Sequence, residues 1–133
     1  MRKLPVLLIA ALLATCAFAA VAASASRATE VKSSVTIKFK EGGTTGDPYN
    51  PYAEDRFTGK VKGKGCKDDR KVKVVKQGGG VEGKTTTDDK GFYKVPTGNP
   101  TGNFFAKVKK DTRGKGDDKI KCSKATSNTI SVP

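Results

Sequence analysis

Lysine offers the most chemistry in this chain. Lys60 and Lys62, Lys71 and Lys73, and Lys107 and Lys109 stand two residues apart within FTGKVKG, KVKVV and FFAKVKK. In an extended segment that spacing puts both ammonium groups of a pair on one side. Such rows attract polyanions, among them envelope phosphates, acidic polysaccharides and nucleic acid, by long-range steering. Outward lysines also keep a β domain soluble and guard its edges.

The balance of charge is strongly basic, with 26 Lys+Arg against 13 Asp+Glu and a net charge of +13. There is no His, so the usual imidazole base, metal ligand and neutral-pH switch are missing. A Ser or Thr nucleophile would need a lysine base, and lysines facing water stay protonated. No catalytic residue stands out, no cofactor motif is present, and the expectation is a protein that is not an enzyme. The acidic pairs Asp68/Asp69, Asp88/Asp89 and Asp117/Asp118 lack the alternating acid spacing of a calcium loop. Each falls at a turn, where Asp is favoured for its own hydrogen bonds. Sequence-specific nucleic-acid recognition is not expected, because no recognition helix or stacking-aromatic motif occurs.

Two aromatics, Phe92 and Phe105, interrupt the outward polar pattern. Together with Tyr49 and Tyr52 they form a candidate aromatic patch for a protein or a carbohydrate. The alternative is that the loop from Glu41 to Asp55, which carries both tyrosines, covers the two phenylalanines.

The amino terminus reads as a processing signal. Arg2 and Lys3 precede an uncharged stretch from Leu4 to Ala25 that ends in small residues, as in a secretory signal peptide, with cleavage expected after Ala25. The stretch is also long enough to anchor the chain if uncleaved, and Leu13-Ala14-Thr15-Cys16 loosely resembles a lipoprotein site. All three fates put the domain outside the cytoplasm. Residues 26–133 then form a single domain, and the only charged side chains lost with the signal are the basic Arg2 and Lys3. Its remaining cysteines, Cys66 and Cys122, are an even pair in an oxidising compartment and read as one disulfide. Closing a loop of roughly 55 residues contributes about 4 kcal/mol in the chain-entropy model. Two buried thiols are the alternative, and the lack of Cys-x-x-Cys argues against a redox pair.

Strands must position all of these groups. Beyond residue 26 the apolar residues alternate with period two, which predicts seven short strands. Inward residues are Val35, Ile37 and Phe39; Phe57, Gly59 and Val61; Val72 and Val74; Tyr93 and Val95; Phe104, Ala106 and Val108; Ile130 and Val132. GKTTT supplies a seventh, polar strand. No window has the spacing of an amphipathic helix, and turn signals separate the strands. Glu41 to Asp55 and Asp111 to Cys122 are expected as loops. Seven short alternating strands in one domain argue for an all-β, two-sheet antiparallel sandwich of immunoglobulin-like or transthyretin-like type.

Between Phe57 and Val108 a longer pattern emerges: Phe57-x-Gly59-x-Val61, Arg70-Lys71-Val72-x-Val74, Thr85-x-Thr87-Asp88-Asp89-x-Gly91-x-Tyr93-x-Val95, then Gly102-x-Phe104-x-Ala106-x-Val108. It resembles the carboxypeptidase regulatory-like domains, transthyretin-like β-sandwiches, in a small secreted bacterial version, over about half of the mature chain. Gly91 would allow a tight turn, Tyr93 would fill the core with its hydroxyl toward water, and Ala106 would leave room between sheets. The resemblance implies a non-catalytic module, since the family's peptidase chemistry resides in a separate zinc domain absent here. The expected role is structural or protein-interacting at the cell envelope, as a monomer. The alternative is a polyanion- or carbohydrate-binding module using its lysine-rich faces.

Overall fold

A computed structural model describes residues 27–44 and 53–133. The expected signal peptide, Cys16, Tyr49 and Tyr52 lie outside the described residues. Among those described, the chain forms twelve strands and one short 3-10 turn. In order they are β1 (Thr29–Val31), β2 (Ser34–Val35), β3 (Lys38–Lys40), β4 (Arg56–Lys62), β5 (Lys71–Lys76), β6 (Val81–Thr86), β7 (Phe92–Pro96), β8 (Gly102–Val108), β9 (Asp111–Arg113), β10 (Ile120–Cys122), β11 (Ala125–Thr126) and β12 (Ile130–Val132). The described part of the chain is all-β. Every segment expected to be a strand contains one, although the first is divided into β2 and β3.

Antiparallel pairing builds the two larger sheets. One runs β11-β8-β5-β6 with β12 also on β8, and the other runs β2-β4-β3 with β7 also on β4. Their inward residues share one core, in which Phe57 and Phe104 stack across the gap at 4.8 Å between ring centroids. Burying alternate residues from both sheets is what the period-two pattern requires, because consecutive side chains in a strand leave on opposite faces.

Two interruptions in the ladders are patched by hydroxyls. Between β2 and β3 the Oγ1 of Thr36 accepts a hydrogen bond from the Lys60 amide at 3.0 Å, and between β11 and β12 the Oγ of Ser127 accepts one from the Ala106 amide at 2.8 Å. A short side chain thus replaces a backbone partner, leaving neither amide orphaned. Gly59 faces the ring of Tyr93, whose hydroxyl donates to the carbonyl of Thr36 at 2.6 Å. A Cβ at Gly59 would run into that same carbonyl and the Tyr93 ring. The expectation of a Tyr93 hydroxyl turned toward water is thus corrected: it ends on the backbone, and burial raises its pKa above the ordinary phenol value. Gly91 adopts φ of +85°, as its turn position demands.

The segment expected as a charged loop from Asp111 to Cys122 is instead structured. β9 and β10 pair antiparallel, and β10 pairs in parallel with β1, giving a third small sheet. Too few apolar residues alternate there for the pattern to show it. Cys66 and Cys122 are joined in a disulfide, with sulfurs 1.99 Å apart, which ties the small sheet to the loop after β4.

Candidate functional site: a lysine-rich sheet face

The register between strands decides which lysines meet. Lys73 on β5 stands directly opposite Lys84 on β6 and directly opposite Lys107 on β8, and Lys107 faces Thr126 on β11. The result is an unbroken row, Lys84, Lys73, Lys107, Thr126, across four neighbouring strands. Lys71 opposite Thr86 begins the next row, and Lys109 follows the end of β8. Neighbouring strands are about 4.8 Å apart, so successive ammonium groups repel one another. Lys109 first, then Lys84, lowers the Lys73 pKa from its ordinary value. Among the described residues, the ion pairs are those of Arg113 with Asp68 and with Asp111, so no carboxylate offsets this row.

The other large sheet distributes its cations differently. There Thr58 separates Lys38 from Lys94. Arg56, opposite Lys40, donates to the carbonyl of Glu54 at 3.2 Å. Lys60 lies across from Phe92 and places its Nζ 4.4 Å from the ring centroid, a cation–π contact. The six lysines singled out from the sequence therefore divide: Lys71, Lys73, Lys107 and Lys109 share one face, whereas Lys60 and Lys62 belong to the opposite sheet. Lys84 joins the first group, and only the strand register reveals it.

Of the candidate aromatic patch, Phe92 and Phe105 are described, and these two do not come together. Phe92 projects from the outer side of one sheet and Phe105 from the outer side of the other, with the core between them. Phe92 is 49% exposed. Phe105 is half-buried, with the Lys107 Nζ 5.1 Å from its ring centroid.

Two adjoining depressions hold the lysine face. A shallow one, about 290 Å³, lies among Lys71, Lys73, Lys84, Thr86 and Lys109. A larger open groove, about 1420 Å³, has Val108 and Ala125 among its lining residues and Lys32, Lys110 and Lys124 on its sides. Lys73 and Lys109 border both. Glu30 is the carboxylate in the groove, against six lysines.

Arg70 holds this region in shape. Its guanidinium is buried and donates to Ser33 Oγ at 2.9 Å, Cys66 O at 2.9 Å, Lys109 O at 2.7 Å and Ser123 O at 2.9 Å. Burial, followed by the charge of Arg113, lowers its pKa, and Asp111 opposes the shift. The planar fork suits four acceptors from separate segments, three of which, at Ser33, Lys109 and Ser123, belong to groove residues. Arg70 was visible in the sequence only as part of the family-like pattern, since an isolated Arg before a strand ordinarily faces water.

Of the acidic pairs, Asp88 caps its own turn, whereas Asp68 reaches a distant strand. Asp88 Oδ1 accepts the amides of Lys90 and Phe92 at 2.9 and 2.8 Å, and Asp68 pairs with Arg113. Among the described residues no three His, Cys, Asp or Glu side chains gather as a metal site would require. No family model, curated protein or solved structure matches this chain.

Proposed function

We propose that the chain is a secreted, non-enzymatic β-sandwich module of carboxypeptidase regulatory-like type that binds polyanions through the outer face of β6, β5 and β8. The unneutralised row Lys84, Lys73, Lys107 carries this reading. Solubility alone favours charges of both signs interspersed. Three like charges directly opposite one another cost stability unless an anion sits on them. The exposed Phe92 favours a second reading, a protein contact on the opposite sheet.

Retention on immobilised heparin tests the proposal. The protein should bind at physiological ionic strength and elute steeply above it, as counterion release demands. Neutralising Lys84, Lys73 and Lys107 together with Gln should abolish retention at physiological salt. Neutralising Lys38, Lys40 and Lys94 on the other sheet removes the same charge and should lower the eluting salt only slightly. Equal losses from the two triple variants would reduce the effect to net charge and refute a specific face.

A further inference from the structure

We infer that the occupant of this face is a linear acidic polysaccharide lying across the strands, an inference that rests on the polyanion reading and gives it a substrate class. The continuity of the two depressions is the first reason. Lys73 and Lys109 border both, so the cationic path continues from Lys84 and Lys71 at one end to Lys124, Lys110 and Lys32 at the other. From β6 to β11 the path crosses three strand spacings, about 14 Å, before the rest of the groove is counted. A small anion would occupy one depression and leave the other lysines repelling; a chain neutralises them together.

The surroundings of the lysines indicate the kind of chain. Hydroxyls are interleaved with the ammonium groups: Thr86 opposite Lys71, and Thr126 opposite Lys107. Alternating charges and hydroxyls suit a polymer that itself alternates acidic groups with hydroxyls. Single-stranded nucleic acid would require flat aromatic platforms for its bases. Among the described residues Phe105 is the aromatic of this face, and it is half-buried with Lys107 against its ring. A bilayer would require an apolar wedge at the surface. Of the exposed large hydrophobics among the described residues, Val81 lies on this sheet and Phe92 on the other, and a groove is the wrong shape for a flat interface.

Size-defined heparin oligosaccharides test the inference by calorimetry. Affinity should climb with oligosaccharide length and level off once the chain spans both depressions. Lys84→Gln and Lys124→Gln, at opposite ends of the path, should each weaken the longest oligosaccharide by roughly fivefold or more while a tetrasaccharide is little affected. Both side chains are exposed, so the variants should retain the wild-type circular dichroism and melt no lower than wild type. A plateau already reached with the shortest fragment would overturn the inference. So would tighter binding of oligothymidylate of equal charge or of phosphatidylglycerol vesicles. In each of these cases heparin retention would survive and the broader polyanion reading with it. Absence of any retention on heparin would remove both.

Discussion

The guanidinium of Arg70 donates a 2.9 Å hydrogen bond to the backbone carbonyl of Cys66, the residue whose sulfur is bonded to Cys122. A charged fork and a covalent bridge therefore converge on one loop. The same fork reaches Lys109 and Ser123, so the end of β8 and the segment after β10 are fixed to that loop as well. A buried guanidinium is stable only when its donors are engaged, and here the acceptors are mostly backbone carbonyls rather than a carboxylate.

Replacing Arg70 should thus be severe. Arg70→Met removes the donors and leaves the carbonyls of Cys66, Lys109 and Ser123 without them, at a cost of at least about 3 kcal/mol. Arg70→Lys keeps the charge but not the planar fork, and should cost about 2 kcal/mol. Urea unfolding of the two variants checks the order. A Lys variant as stable as the wild type would show that charge, not the fork, is what this position requires.

Loss of the disulfide should be felt globally. Both cysteines are fully buried, and the bridge joins residues 56 apart. Cys66→Ala with Cys122→Ala should lower stability by about 2–5 kcal/mol. The denaturant midpoint of the double variant, compared with wild type in the absence of reductant, measures this.

The inward face of nearly every strand was legible in the sequence because alternation of apolar and polar residues is a local property. Val35, Phe57, Val72, Tyr93, Phe104 and Val132 are all buried as that alternation requires. Pairing partners are not local. Nothing in GKTTT indicates that Lys84 stands beside Lys73, and the sequence separation between Lys73 and Lys107 hides the continuation of the row. Strands β1, β9 and β10 are three residues each and rich in charge, so they lack room for a period to appear. Arg70 escaped for another reason: its burial depends on four acceptors that four separate segments contribute. Phe92 and Phe105 looked alike because both point outward, but they belong to different sheets, which only the pairing reveals.

Gly59 should tolerate no side chain. A Cβ there meets the Thr36 carbonyl and the Tyr93 ring, both held by the core, so Gly59→Ala should destabilise by about 3 kcal/mol. Tyr93→Phe should cost about 1 kcal/mol by removing the bond to Thr36 while keeping the ring. Thermal melts that rank the Gly59 variant below the Tyr93 variant would support close packing, rather than the hydroxyl, as the main constraint at this spot.

Acid should loosen the small sheet. The side-chain hydrogen bond from Arg113, helped by the Thr112 amide and the charges of Arg113 and Arg70, lowers the Asp111 pKa from the usual carboxylate value despite partial desolvation. A depressed folded pKa means that the ionised form stabilises the fold above the unfolded value of about 3.9. That contribution is lost as the pH falls through the lower folded value. At neutral pH the pair is half-exposed and Asp111→Asn should cost no more than about 1 kcal/mol. In urea titrations between pH 6 and 2, the gap between wild type and Asp111→Asn should therefore narrow toward the acid end. A gap that is constant with pH would assign the effect to packing.

Lys73 separates binding from folding most directly. It is flanked by Lys84 and Lys107 in the ladder, and Lys109 and Lys84 depress its pKa. A base with a depressed folded pKa destabilises the fold while protonated, and the penalty fades as the pH rises through the folded value toward the ordinary lysine range. Lys73→Thr removes the central charge of the row and introduces a residue that strands favour. The variant should melt higher than wild type in low salt, with the difference shrinking in high salt, where screening already quiets the repulsion. Stability of the variant should also lose the alkaline rise expected of the wild type. On immobilised heparin the order should reverse, the more stable variant eluting at lower salt. A Lys73→Thr protein that melts below wild type in low salt would mean that the lysine supports the sheet, and the case for an anion seated on this row would lose its physical basis.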